Sequence, residues 1–73
     1  MYEALEVKAP MTGRVASIPV QVGGTVLQGD VLITLEAMKM ENQVRAPRPG
    51  VVIEVLTTEG AIVHSGDLLA VLD

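Results

Sequence analysis

The sequence predicts an all-β domain: a small sandwich or flattened barrel built from two four-stranded halves. Three observations lead to this prediction. The apolar residues are mainly aliphatic, with 12 Val, 8 Leu and 4 Ile against one Tyr and no Phe or Trp, and β-branched side chains suit a pleated sheet. The second half of the chain repeats the first. Turn residues recur at short intervals in both halves, and no window shows the apolar period of a capped helix.

The length and composition exclude several classes of protein. At 73 residues the chain is expected to be one domain, residues 1–73, without room for a separate catalytic domain. Five basic and nine acidic residues give a net charge of −4, and without a basic cluster a nucleic-acid partner is not expected. Cysteine is absent, which excludes disulfides and thiolate metal sites. No stretch approaches the ~18 apolar residues of a membrane span, so we expect a cytoplasmic protein without direct membrane insertion.

The internal repeat is the strongest feature of the sequence. Residues 7–36 align with residues 44–73 at an offset of 37 without a gap, and 11 of the 30 aligned pairs are identical. Several of the identical pairs are turn residues: Ala9/Ala46, Pro10/Pro47, Gly13/Gly50, Gly23/Gly60, Gly29/Gly66 and Asp30/Asp67. Turn residues shared in one register predict that both halves have the same backbone course.

Each half is predicted to contain four short strands separated by turns. The predicted strands lie near Leu5–Lys8, Arg14–Ile18, Thr25–Val26, Val31–Glu36, Glu41–Arg45, Val51–Leu56, Ile62–Val63 and Leu68–Leu72. Glycines at the turns are expected to have positive φ, and Asp30 and Asp67 are expected to accept hydrogen bonds from nearby backbone. The two halves would pack as sheets around an approximate two-fold axis and share a core of Val, Leu and Ile.

Residues 37–43 join the two halves and are predicted to form a hairpin with Lys39 at its tip. Under the offset of 37, the counterpart of this hairpin is the N-terminal segment, residues 1–6, which lies beside the C-terminal strand. The repeat therefore predicts that Lys39 is solvent-exposed at the end of the domain opposite the chain termini.

The hairpin sequence Glu36-Ala37-Met38-Lys39-Met40 resembles the biotin attachment motif of biotin carboxyl carrier domains. The resemblance extends along the whole chain, because each half has an Ala-Pro-x-x-Gly corner and a Gly-Asp corner, with the lysine hairpin between them. It implies a barrel-sandwich hybrid fold of the biotinyl/lipoyl type. It also implies that biotin is joined to Lys39 by an amide bond, and that Glu36, Ala37, Met38 and Met40 form the recognition motif.

The resemblance further implies partners and a role. Lysine amines in water are protonated at neutral pH and are poor nucleophiles, so a separate biotin protein ligase would load Lys39, reading adaptable methionines on either side. The domain would be a non-catalytic swinging arm that carries carboxyl groups from a biotin carboxylase to a carboxyltransferase or decarboxylase. The gapless repeat leaves no insertion between Ser17 and Asp30, which is typical of the thumbless type of this family.

Two other functions stay open from the sequence. Lipoyl carrier domains share the symmetric fold, but they usually have Asp before the lysine, where Met38 stands here. An unmodified structural adaptor needs no amine at the hairpin tip. An enzyme is disfavoured, because His64, Ser65 and Asp67 are near neighbours in one turn, and such residues rarely converge on a reacting atom. We therefore predict no catalytic residues and no metal site.

Overall fold

A computed structural model describes residues 3–73 and contains eight β-strands in that range. The strands are β1 Leu5–Lys8, β2 Gly13–Ser17, β3 Thr25–Val26, β4 Val31–Ala37, β5 Met40–Arg45, β6 Gly50–Val55, β7 Ile62–Val63 and β8 Leu68–Leu72. All eight predicted strands are present, and no strand end differs from its prediction by more than one residue. Within residues 3–73 there is no helix long and apolar enough to cross a membrane.

The strands form two four-stranded antiparallel sheets, ordered β1-β8-β6-β3 and β5-β4-β2-β7. Each sheet takes two strands from each half of the chain. The expectation that each half would pack as a sheet of its own is therefore wrong. The cause lies at the corner after β1, where Ala9 N donates to Asp67 O and Ala9 O accepts from Gly66 N. These bonds tie the corner to the second half, so the chain leaves one sheet there and enters the other.

The backbone hydrogen bonds and strand registers follow the sequence repeat. In the β4–β5 pair, Leu35 faces Asn42. Their repeat counterparts are Leu72 (35 plus 37) and Leu5 (42 minus 37), and these two residues face each other in β8 and β1. The bond from Ala9 N to Asp67 O has an equivalent from Ala46 N to Asp30 O, and both are 2.8 Å long. An approximate two-fold axis therefore exchanges the two halves.

The turns have the chemistry expected from the sequence. The glycines with positive φ are Gly23, Gly29, Gly60 and Gly66, at 89–92°, in the left-handed region that glycine enters without a steric penalty. The Asp30 carboxylate accepts a hydrogen bond from Leu27 N, and the Asp67 carboxylate accepts one from His64 N, each at 2.8 Å. Both aspartates therefore close their corners as predicted.

The apolar core lies between the two sheets. Its largest fully buried side chains are Leu32, Ile33, Leu35, Leu69, Leu72, Val15 and Val52. Four consecutive residues of β4, from Leu32 to Leu35, are buried. Strand β4 is also an inner strand, with β5 on one side and β2 on the other. The strand that leads into the lysine hairpin is thus one of the most firmly packed in the domain.

The domain is elongated, with dimensions of 39 × 18 × 17 Å. Strand β4 begins beside the Ala46 corner and extends over seven residues, or about 23 Å, to the lysine hairpin. Beyond Ala46, the Arg48 guanidinium donates to Glu3 O, and Asp73 N donates to Val51 O. The contacts therefore put the hairpin at one end of the long axis and residues 3 and 73 at the other. Residues 1 and 2, included in the same prediction, lie outside the described residues.

Candidate attachment site at the lysine hairpin

The hairpin turns in two residues, Met38 and Lys39. Strand β4 ends at Ala37, β5 begins at Met40, and these two residues still pair. The turn residues have φ values of 53° and 64°, as a two-residue type I′ turn requires, and the twist of this turn matches the twist of the flanking strands. The predicted strands left residues 37–40 between them, and the turn is shorter by one residue at each end, because Ala37 belongs to β4 and Met40 to β5.

The left-handed backbone of this turn stores strain. Within residues 3–73, Met38 and Lys39 are the non-glycine residues with positive φ, a conformation that costs side-chain-bearing residues roughly 1–2 kcal/mol. Such strain persists only where the surrounding structure fixes the backbone, and it is frequent at functional sites. Here the β4–β5 ladder fixes the turn, since it runs without interruption from Ile33 to Ala37.

The turn presents its side chains to solvent. Lys39 is exposed, Met38 is 95% exposed and Met40 is 66% exposed. Neither methionine belongs to the hydrophobic core. Folding does not require large apolar side chains at such a position, and grouped exposed apolar side chains mark interaction sites.

The two lysines of the chain differ in their surroundings. Lys8 lies on β1, where its Nζ is 3.9 Å from a Glu6 carboxylate oxygen. Lys39 takes part in none of the salt bridges or side-chain hydrogen bonds found within residues 3–73. The structure thus offers the Lys39 amine to a partner without an intramolecular competitor in the described part of the chain.

An ion pair secures the base of the hairpin. The Arg14 guanidinium lies 3.2 Å from the Glu36 carboxylate, and both side chains are about half exposed. The pair connects β2 to β4, where Arg14 and Glu36 face each other. Glu36, predicted as part of the recognition motif, is therefore bound to a neighbouring strand, and an exposed pair of this kind contributes at most ~1 kcal/mol.

Two supporting residues were not predicted from the sequence. Arg14 was not predicted, although the repeat points to it: its counterpart in the second half is the apolar Val51, so a charged residue at position 14 departs from the repeat. Gly13 was noted as a corner residue only, but a Cβ at its position would lie 2.9 Å from Glu36 O. Glycine at this position allows β2 to approach β4 directly below the hairpin.

The other sequence candidates form an ordinary corner. His64 Nδ1 lies 3.8 Å from the Asp67 carboxylate, which already accepts a hydrogen bond from His64 N. Ser65 makes none of the side-chain hydrogen bonds found in residues 3–73. Asp30 forms the same bond to Leu27 N in the first half, where no histidine is present. The Asp67 contact is therefore a feature of the corner that needs no catalytic explanation.

Comparison with known proteins gives the family. Residues 5–72 match the family described as "Biotin-requiring enzyme". The chain is 39% identical over 69 residues to a biotinylated protein TB7.3 homologue of Mycobacterium leprae, covering 94% of this chain and 97% of that protein. It is 42% identical over 64 residues to a biotin-dependent acyl-coenzyme A carboxylase alpha3 subunit of the same organism, covering 88% of this chain and 11% of that subunit.

A solved structure with the same fold comes from a lipoyl protein. It is the lipoyl domain of the 2-oxoglutarate dehydrogenase complex of Azotobacter vinelandii, with a TM-score of 0.80 and 31% identity, covering 93% of this chain and 94% of that domain. The fold is thus the one shared by biotinyl and lipoyl domains, and the biotinylated relatives decide between the two. The chain belongs to the family of biotin-requiring enzymes, as a biotin carboxyl carrier domain that is itself non-catalytic.

Proposed function

We propose that Lys39 is the residue to which a biotin protein ligase attaches biotin, and that the loaded domain shuttles carboxyl groups between a biotin carboxylase and a carboxyltransferase or decarboxylase. The observation that supports this proposal is an exposed lysine on a rigid left-handed turn, flanked by Met38 and Met40. The turn lies at the far end of the long axis from residues 3 and 73, so either of those residues can be held without covering the amine.

The loading reaction forms one amide bond. The deprotonated Nζ of Lys39 attacks the carbonyl carbon of biotin activated as an acyl adenylate, AMP leaves with the electron pair of the broken C–O bond, and the amine loses its remaining excess proton. No carboxylate within residues 3–73 pairs with the Lys39 amine, and Glu36, at the base of the hairpin, is paired with Arg14. The ligase must therefore supply the base, and this domain supplies the nucleophile and its orientation.

The residues around Lys39 fit an amide-linked group. A modified side chain can extend into solvent from the turn, because Lys39 and both neighbouring methionines are exposed. The turn backbone fixes the direction of the side chain, and Ala37, adjacent to Gly13, allows β2 and β4 to pack closely beneath it. When attached, biotin would supply a ureido nitrogen that accepts and releases a carboxyl group.

The partners are proposed from the relatives. The chain spans 11% of the acyl-coenzyme A carboxylase subunit, so in that protein a similar segment is one part of a much larger carboxylase. Attachment to an arm makes each delivery an intramolecular encounter at high effective concentration. We propose that the domain works in the cytoplasm, where ATP is available for loading and carboxylation.

Intact mass spectrometry tests the attachment site. The chain is incubated with a biotin protein ligase, biotin and ATP, and we expect the mass to rise by one biotinyl group. Lys39→Arg should abolish the increase, whereas the matched control Lys8→Arg should keep it, because Lys8 lies on β1 beside Glu6. Biotin on Lys8, or a lipoyl group on Lys39 after expression in cells with both ligases, would contradict the proposal.

A further inference from the structure

The methionines of the described chain are concentrated at one end of the domain. Met38 forms the turn with Lys39, and Met40 follows it. Met11, the third methionine within residues 3–73, lies in the corner between β1 and β2. Its side chain is partly buried and packs against the core. Met11 is outside the attachment motif and has no role in the function proposed above.

The two-fold axis relates Met11 to the hairpin. The repeat counterpart of Met11 is Arg48, and the counterpart of Met40 is Glu3. Arg48 reaches across to Glu3, where its guanidinium donates to the backbone oxygen at 2.8 Å. By the same symmetry, Met11 occupies the corner on the side of the hairpin where Met40 lies.

A second contact ties the same corner to the hairpin. Two residues after Met11, a Cβ at Gly13 would lie 3.5 Å from the Cβ of Ala37. The β1–β2 corner therefore packs against the base of the lysine hairpin, on the side from which β2 approaches β4.

The fold does not require an apolar residue at position 11. The equivalent corner contains Arg48 after the same Ala-Pro pair, so this backbone accepts a charged side chain. Met11 thus adds apolar surface at the end where Lys39 lies, and the other end has an arginine at the same place. The two ends of one symmetric scaffold therefore differ at this corner, with methionine at the end that has the amine and arginine at the other.

We propose that Met11, Met38 and Met40 form one apolar surface, the methionine platform, which the biotin protein ligase binds when it loads Lys39. The proposal rests on the function proposed above. Met11 would act as part of the binding surface and take no part in the reaction at the amine. Its half-buried side chain gives the platform a fixed point, and the exposed Met38 and Met40 can adapt to an apolar groove.

Steady-state kinetics of loading test the platform, with the domain as the varied substrate. The variant Met11→Gln keeps the length of the side chain but makes it polar. We expect it to raise KM by about three- to tenfold, because the ligase would bury the part of the Met11 side chain that is exposed in the free domain. The value of kcat should stay unchanged, because the contact is made equally before and during the reaction. The variant Met11→Leu, which stays apolar, should have a KM close to the wild-type value. The matched variant Arg48→Gln, at the other end of the domain, should also leave KM at the wild-type value.

The outcomes separate the two proposals. Three results would overturn the platform while Lys39 remains the attachment site. The folded Met11→Gln domain could have the wild-type KM, or it could change kcat alone. Alternatively, Arg48→Gln could raise KM as much as Met11→Gln does. Failure of the wild-type chain to accept biotin on Lys39 would overturn the proposed function itself. Thermal unfolding of every variant reports the fold, and if Met11→Gln does not fold, Met11→Arg replaces it, because arginine already occupies the equivalent corner.

Discussion

Removing both methionines of the turn should separate recognition from folding. In the variant Met38→Ala/Met40→Ala, the loss of stability can be worked out from exposure. Complete burial of a methionine side chain stabilises a protein by about 1.5–3 kcal/mol. Met38 is 95% exposed and Met40 is 66% exposed. Burial of Met40 therefore contributes about a third of that stabilisation, and burial of Met38 contributes almost none. The free energy of unfolding should therefore fall by no more than about 1 kcal/mol.

The same variant should be a poor substrate for loading. Two apolar side chains that flank the reacting amine are lost, and we expect kcat/KM for biotinylation to fall by at least about tenfold, a change of ~1.4 kcal/mol in transition-state stabilisation. Urea unfolding followed by circular dichroism measures the first quantity, and intact mass against time with a ligase measures the second. Leu35→Ala is the matched control, because Leu35 is fully buried in the same strand pair and its truncation should cost about 2–5 kcal/mol.

Two results would refute this reasoning. A loss of several kcal/mol in the double variant would show that the methionines are core residues, in contradiction to their exposure. Unchanged loading kinetics in a stable double variant would show that the ligase reads the turn through its backbone alone.

Three further predictions concern the base and the tip of the hairpin. Gly13→Ala should destabilise the domain by about 1–3 kcal/mol and slow loading, because the new Cβ would lie 2.9 Å from Glu36 O; urea unfolding and loading kinetics check this, and a neutral effect would contradict the close approach. Arg14→Gln should lower stability by at most ~1 kcal/mol, and the difference from wild type should shrink as salt in the unfolding assay is raised. One glycine inserted between Met38 and Lys39 should nearly abolish loading while thermal unfolding stays close to wild type, since only the two-residue turn is rebuilt; efficient loading of this variant would show that the turn geometry is not read.

The sequence was informative about local structure and less so about how the strands combine. The strands were predicted to within one residue because the repeat supplies two copies of every turn within a half. The mixing of the halves in each sheet was not predicted, since apolar periodicity does not say which strands pair, and β4, with buried residues from Leu32 to Leu35, does not alternate at all. The turn was predicted in the right place but one residue too long at each end, because Met38 and Lys39 lack the Asn or Gly typical of a two-residue type I′ turn.

The candidate site was predicted in part for similar reasons. Lys39 and its methionines stand out in the sequence because they lie between the two repeats. The pairing of Glu36 with Arg14 joins residues 22 positions apart, and it depends on β2 lying next to β4. Such a contact follows from the sheet topology, which the sequence pattern did not determine.

The mixing of both halves in each sheet has a consequence for synthesis of the chain on the ribosome. Strand β8 occupies an inner position in the first sheet, between β1 and β6, so neither half can complete a core by itself. Pairings between distant segments make folding slow, on the order of milliseconds to seconds for β-rich domains. The β4–β5 hairpin emerges from the ribosome well before β8, but the corner containing Met11 is tied to Gly66 and Asp67, which precede β8. A ligase that binds both the hairpin and this corner would therefore act only after the second half of the domain has been synthesised, and would leave shorter nascent chains unmodified.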